Sequence, residues 1–394
     1  MIDRGGRILM VAGEASGDLY GSRLVAALRE RDAALAFRGI GGPRMRAAGV
    51  EIFADSSELA VVGLTEVLSH WKPIRAAFQR AALELAEGRP DLLLLIDYPD
   101  FNLRLAERAR RRGVPVVYFI SPQVWAWRRS RIRDIARNVR LMLVILPFEE
   151  AIYREAGVPV QFVGHPLLDI LPPPMDALEA RKALGLDPQR RILGLLPGSR
   201  VKELKTHLPI MLDCARLLRA RIGDLQCLIP VAATLEPSDL RAVLEDVPAG
   251  ERPLLLVDRH VEALGAMDAA VIKSGTATLE AALMGVPMVV GYRMSPLTYA
   301  LASLLADVPH VALVNIVSGE RLVPELVQEA FRPAAVAALL EDLLDNPDRT
   351  SELRRRLLAV RARLGAPGCF RRAAEAVLQA VASSRADREG RVAP

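Results

Sequence analysis

Two rhythms of apolar and polar positions alternate along this chain. Short, unbroken apolar runs read as strands buried on both faces of a parallel sheet. They fall at Arg7–Gly13, Phe37–Ile40, Pro90–Asp97, Val114–Ile120, Leu141–Leu146 and Val160–Val163. Between them apolar residues recur at helical spacing, as in Leu19–Arg31. The prolines of Leu171–Pro174 interrupt the pattern and predict a linker. Strands then resume at Ile192–Leu196, Leu225–Pro230, Leu254–Val257, Asp268–Ile272, Met288–Tyr292 and Val311–Val314. Helices are expected up to about Arg221, over Ala277–Met284, from Leu297 and through Pro333–Ser383. This alternation predicts an α/β protein with two doubly wound domains, residues 1–171 and 172–360, whose parallel sheets face a central cleft.

One helical stripe stands apart. Between Val61 and Ala81, Leu64, Val67, Leu68, Trp71, Ile74 and Phe78 share a face, flanked by Lys72, Arg75 and Arg80. Such a face either packs on a sheet or rests on acyl chains at an anionic membrane surface, and the spacing fits both.

Composition narrows the classes. The 394 residues are 51% hydrophobic, enough for two cores and unlike a disordered chain. No apolar run reaches the length of a membrane span, and Ile8–Ala12 is too short for a signal peptide. The three cysteines lack metal-ligand spacing and predict a reducing compartment, while the five histidines are scattered, so no metal site is expected. A net charge of +5 suits phosphorylated substrates or an anionic membrane. No nucleic-acid module is present, and no nucleic-acid partner is expected.

Candidate chemistry collects at strand ends, where open parallel sheets bind ligands. Asp268–Ile272 leads into Ser274, Gly275 and Thr276 at the start of a helix. Amides at such a start suit a diphosphate, and Glu280, one turn on, could accept hydrogen bonds from ribose hydroxyls. An ordinary βα turn with a solvated Glu280 is the competing reading. Ser199 and Arg200 follow the strand Ile192–Leu196, and Asn315 follows Val311–Val314, completing a set for an anionic nucleotide sugar. In the first half, Asp97 ends a buried strand. Asp100 and Asn102 are placed to cap a helix opening at Leu103, which leaves Asp97 for proton transfer. Glu14, Ser16, Gly17 and Asp18 form an acceptor-side loop, with Glu14 or Asp18 as the alternative base. That loop lacks the GxGxxG spacing of nicotinamide and flavin enzymes, and no cofactor is expected. Ser121–Trp127 reads as a cleft lip, and His165 as a hydrogen-bonded hinge residue.

Taken in order, Gly13-Glu-Ala-Ser-Gly-Asp18, Ile96-Asp-Tyr-Pro-Asp-Phe-Asn102, Ser121-Pro-Gln-Val-Trp-Ala-Trp127, Gly164-His-Pro166, Leu196-Pro-Gly-Ser-Arg200, Ser274-Gly-Thr-Ala-Thr-Leu-Glu280 and Met288-Val-Val-Gly-Tyr292 resemble the lipid-A-disaccharide synthase family. The likeness runs from residue 8 to beyond 315 and is specific as a set. It implies a metal-independent GT-B glycosyltransferase that inverts the sugar. Diacylglucosamine would pass from UDP-2,3-diacylglucosamine to lipid X, with Asp97, Arg200 and Asn315 needed for activity. It implies a cytoplasmic enzyme, peripheral on the inner face of a Gram-negative inner membrane. It also implies a C-terminal segment, 361–394, returning to the first domain; beyond about residue 384 the chain matches nothing in the family, and a disordered tail is expected there. Neither a role for Lys273 nor the oligomeric state, a homodimer included, follows from it. A sugar-nucleotide epimerase and a non-catalytic lipid binder are the competing classes.

Overall fold

The computed structural model describes residues 5–59, 71–125, 130–296, 299 and 309–392. Leu64, Val67 and Leu68 lie outside the described residues, as does Trp127; Trp71 is described only as the first backbone residue of the helix Trp71–Glu87. The chain forms two compact units. The first joins Met1–Asp169 to Gly365–Pro394, and the second is Ile170–Leu364.

In the first unit the strands are β1 (Arg7–Ala12), β2 (Ala36–Gly41), β3 (Glu51–Asp55), β4 (Leu92–Ile96), β5 (Val116–Phe119), β6 (Leu141–Val144) and β7 (Val160–Phe162). They form one sheet in the order β3-β2-β1-β4-β5-β6-β7, paired in parallel throughout. All of β4 is inaccessible to solvent, which explains its uninterrupted leucines. Fully burying one such side chain contributes about 1.5–3 kcal/mol.

The second unit contains β8 (Arg191–Leu196), β9 (Leu225–Pro230), β10 (Leu254–Leu256), β11 (Ala269–Lys273), β12 (Met288–Tyr292) and β13 (Glu325–Val327). Their order is β10-β9-β8-β11-β12-β13, again all parallel. The strand expected at Val311–Val314 is replaced by a helix, Leu313–Ser318. A four-residue apolar run fits a buried helical turn as well as a strand, and the edge position goes to β13 instead.

The tail expected to be disordered beyond residue 384 is helical to Val392, within a helix that begins at Cys369. Polar contacts hold it to the rest of the first unit. Asp169 accepts the Phe370 N–H at 3.1 Å, Arg372 Nε donates to the Val163 carbonyl at 2.9 Å, and Arg385 pairs with Asp91 at 3.4 Å. The Phe370 ring sits 6.4 Å from both Tyr20 and Phe119. Ser384 is buried and Asp387 pairs with Arg140, so the segment has partners that composition alone does not show.

Among the described residues, no helix is long and apolar enough to cross a membrane.

Candidate active site

Strand order locates a candidate site in each unit. In the first sheet β1, β2 and β3 run outward one way and β4 to β7 the other, so the order reverses between β1 and β4. In the second sheet the reversal lies between β8 and β11. Loops leaving two strands at such a point diverge and leave a crevice at the carboxyl edge. The four loops concerned begin at Gly13, Asp97, Pro197 and Ser274.

At the reversal in the second unit, Arg200 is the N-cap of the helix Val201–Ile222, and Glu203 stands in that helix's first turn. One Glu203 carboxylate oxygen receives Arg200 Nη1 at 3.1 Å and Lys273 Nζ at 2.9 Å; the other accepts the Ser199 N–H at 3.0 Å. Burial works to raise the Glu203 pKa, but Lys273, the Ser199 amide and Arg200 outweigh it and hold the carboxyl below its ordinary range. Gly198 has φ +123°, and a Cβ there would meet Glu203 Oε2 at 2.3 Å, so this loop requires glycine. Lys273 Nζ also sits 5.4 Å from the centre of the Tyr292 ring. The far face of the set is closed by His207, stacked on Tyr292 at 6.0 Å.

Across β11, Gly275 is the N-cap of the helix Thr276–Leu283, and Ser274 Oγ donates to the Val311 carbonyl at 2.6 Å. Glu280 is half-buried and pairs with His260 Nε2 at 2.9 Å. His260 opens the helix that follows β10, a partner invisible from the sequence because it arrives from another strand.

Asn315 is fully buried. Its Nδ2 donates to the Val323 carbonyl at 2.9 Å and to Glu325 Oε1 at 2.8 Å, and its Oδ1 accepts the Val323 N–H at 2.9 Å. Glu325 in turn accepts the Val311 and Ala312 amides at 3.2 and 2.9 Å. With both polar atoms engaged and no exposure, Asn315 braces this edge from within.

In the first unit, Asp97 and Tyr98 are consecutive left-handed residues, with φ 47° and 51°. Each non-glycine residue in that region costs on the order of 1–3 kcal/mol, so the turn is held by its surroundings. Asn102 Nδ2 and the Tyr118 hydroxyl both donate to the Asp97 carbonyl at 2.6 Å. The helix begins at Pro99, earlier than Leu103, with Tyr98 as N-cap and no side-chain cap. Asn102 therefore pins the Asp97 backbone instead of capping, while Asp100 pairs with Arg131. Tyr98 donates to the Leu59 carbonyl at 3.0 Å, and burial, with Glu14 and Asp100 nearby, pushes its pKa up to about 12. A Cβ on Gly13 would lie 2.3 Å from the Tyr98 ring, so glycine lets the β1 and β4 loops meet.

The acceptor-side residues divide. Glu14, half-buried, is the N-cap of the helix Ala15–Arg29, and Ser16 is exposed. Gly17 is buried, 3.2 Å from the Ala12 Cβ if it carried a Cβ of its own. Asp18 is 4% exposed and accepts three amides, of Gly42, Met45 and Arg44, at 2.7, 2.9 and 3.0 Å. Its carboxylate caps the helix Pro43–Ala47.

Beside this edge, Trp125 Nε1 donates to Glu149 at 3.2 Å, the Leu146 N–H to its other oxygen at 3.1 Å, and Ser121 and Tyr153 hydroxyls lie 2.6 Å apart. Burial raises the Glu149 pKa to about 7. His165 is 2% exposed; its Nδ1 accepts the Leu167 N–H at 3.2 Å, and burial lowers its pKa to about 3. Among the described residues, no group of three or more His, Cys, Asp or Glu is placed to hold a metal ion.

Comparison with known proteins agrees with this layout. The family model described as Lipid-A-disaccharide synthetase matches residues 8–377. The lipid-A-disaccharide synthase of Geobacter metallireducens is 48% identical over 379 residues, 96% of this chain and 98% of that protein. The UDP-GlcNAc 2-epimerase from Neisseria meningitidis, solved bound to UDP-GlcNAc, is similar in structure with a TM-score of 0.62 at 13% identity, over 95% of this chain and 100% of that one. MurG of Acinetobacter baumannii gives a TM-score of 0.55 at 14% identity, over 95% and 99%. These likenesses show the fold to be GT-B. With its model matched from Ile8 to Val377, the chain belongs to the lipid-A-disaccharide synthase family, glycosyltransferases that make the disaccharide of lipid A.

Proposed function

We propose that this family member is an inverting transferase that moves 2,3-diacylglucosamine from UDP-2,3-diacylglucosamine to lipid X, the 1-phosphate of the same sugar. The products are the β(1→6)-linked lipid A disaccharide 1-phosphate and UDP. The observation that carries this reading is that each sheet reverses its strand order between two equipped loops. One pair holds Ser199, Arg200 and the Ser274–Thr276 helix start, and the other holds Glu14 and the strained Asp97 turn.

On this reading the donor's diphosphate takes the Ser199 hydroxyl, the Gly275–Thr276 amides and Arg200, whose charge stabilises the leaving group. Glu280, oriented by His260, accepts the ribose hydroxyls. The acceptor's primary hydroxyl attacks the anomeric carbon from the face opposite UDP. Asp97 takes its proton late, as the attacking oxygen becomes acidic. Asn315 is a positioning residue, acting through Glu325 on the segment that receives the Ser274 hydroxyl bond. Two acylated substrates and a net charge of +5 support a peripheral location on the inner face of the inner membrane.

Incubation with UDP-2,3-diacylglucosamine, with and without lipid X, tests the reading. Acceptor-dependent UDP release with a disaccharide product is expected. Conversion of the sugar without acceptor would mark an epimerase, and no turnover a binder.

A further inference from the structure

We propose that Glu203 is a built-in counter-ion that stands in for the donor's diphosphate when the site is empty and is displaced from Arg200 and Lys273 when the diphosphate arrives. This rests on the placement of the nucleotide in the second unit proposed above.

Both cations meet the same Glu203 oxygen, Arg200 at 3.1 Å and Lys273 at 2.9 Å. They come from opposite sides of the strand-order reversal: Arg200 follows β8 and Lys273 ends β11. A Cβ on Gly275 would lie 3.7 Å from Lys273 Nζ, so the ammonium stands at the mouth of the turn that opens the helix Thr276–Leu283. The Lys273 and Glu203 side chains are 15% and 17% exposed, whereas Arg200 is 38% exposed.

The carboxylate itself is anchored. Its second oxygen holds the Ser199 amide at 3.0 Å, and it stands in the first turn of its helix, where negative charge is favoured. Two cations against one carboxylate leave one positive charge, and a diphosphate carries more negative charge and more acceptor oxygens than the carboxylate it replaces. Arg200 and Lys273 therefore transfer to the ligand while Glu203 stays in place. The retained carboxylate then repels the diphosphate. That repulsion weakens donor and UDP alike and hastens UDP release. Glu203 thus holds the two cations in the empty site and repels the phosphates in the filled one, and Lys273 becomes the second diphosphate cation.

Calorimetric titration of the full chain with UDP and with uridine tests this. Glu203→Gln is expected to bind UDP roughly fivefold tighter with uridine affinity unchanged, because removing the fixed negative charge helps only the phosphates. In turnover it should lower donor KM and kcat together. Lys273→Gln should bind UDP several-fold more weakly, again with uridine unchanged. Glu203→Asp, which keeps the charge, should return UDP affinity toward wild type. Unchanged or weaker UDP binding by Glu203→Gln, or a parallel change for uridine, overturns the inference and leaves Glu203 a scaffold residue. If Glu203→Gln does not fold, Lys273→Gln decides: unchanged UDP affinity overturns it. Glu280→Gln serves as the control on the nucleotide site. Weaker uridine binding in Glu280→Gln upholds that site even if Glu203 fails its test, and unchanged binding refutes the site itself.

Discussion

Glu149→Gln should erase a pH dependence of stability that the wild-type protein carries. The Glu149 side chain is 2% exposed, and burial raises its pKa from 4.5 to about 7 even though the Leu146 amide and the Trp125 indole bond to it. The folded state therefore holds a proton that the unfolded chain has already released. The resulting stabilisation is fully present below about pH 4.5, declines as pH rises, and is gone above about pH 7. Each pH unit inside that window counts for about 1.4 kcal/mol, so the change between pH 8 and pH 5 comes to about 2.5 kcal/mol. Glutamine cannot titrate and lacks one of the two acceptors. Urea unfolding of both proteins at pH 5 and pH 8, followed by tryptophan fluorescence, isolates the effect. Burial of His165, with its pKa lowered from 6.5 to about 3, makes both proteins lose stability below pH 6.5, and that contribution cancels in the difference. On going from pH 8 to pH 5 the wild type should gain about 2.5 kcal/mol on the variant. A difference that stays flat between the two pH values would refute the reasoning and show that Glu149 is ionised in the fold.

Three further outcomes are expected. Asp97→Asn keeps the strained turn, because Asn102 and Tyr118 hold the backbone carbonyl, and should lose roughly 100-fold or more in turnover with donor binding intact; near-normal turnover would move attention to Glu14. Arg200→Ala should lower turnover by about 100-fold through lost stabilisation of the leaving diphosphate, and a raised donor KM at normal kcat would mark it as a uniform binder. Glu280→Gln keeps a hydrogen bond to His260 but loses its charge, and should weaken UDP by about 1–3 kcal/mol in a calorimetric titration.

How far the molecule was legible beforehand depended on burial. Strands such as β4 and β11, hidden on both faces, wrote themselves as apolar runs. The edge strands β3 and β13 are only partly buried, carry mixed residues, and gave no such signal. Strand ends pointed to Asp97, Arg200 and Glu280 because a parallel sheet puts its crevice there. Local capping logic was less reliable. Asn102 turns back to the Asp97 carbonyl, and Asp18 caps a helix starting at Pro43, choices made by the tertiary fold and not by neighbours in sequence. Glu203 and His260 went unnoticed for the same reason, since each is defined by a partner on another loop.

The interruption of the first unit's sequence by Ile170–Leu364 has a consequence for biosynthesis. Asp169 waits for the Phe370 amide, 201 positions later, and Asp91 waits for Arg385, 294 positions later. At 5–20 residues per second, the first of these delays lasts about 10–40 s on a ribosome. Throughout it the helix Ala15–Arg29 lacks the final helix, and the aromatic contacts of Tyr20 and Phe119 with Phe370 cannot form. The inserted unit, contiguous in the chain, is free to finish folding meanwhile. The unit whose strands are made first is thus completed last, and its sheet must be kept from aggregating until the helix that begins at Cys369 has been made.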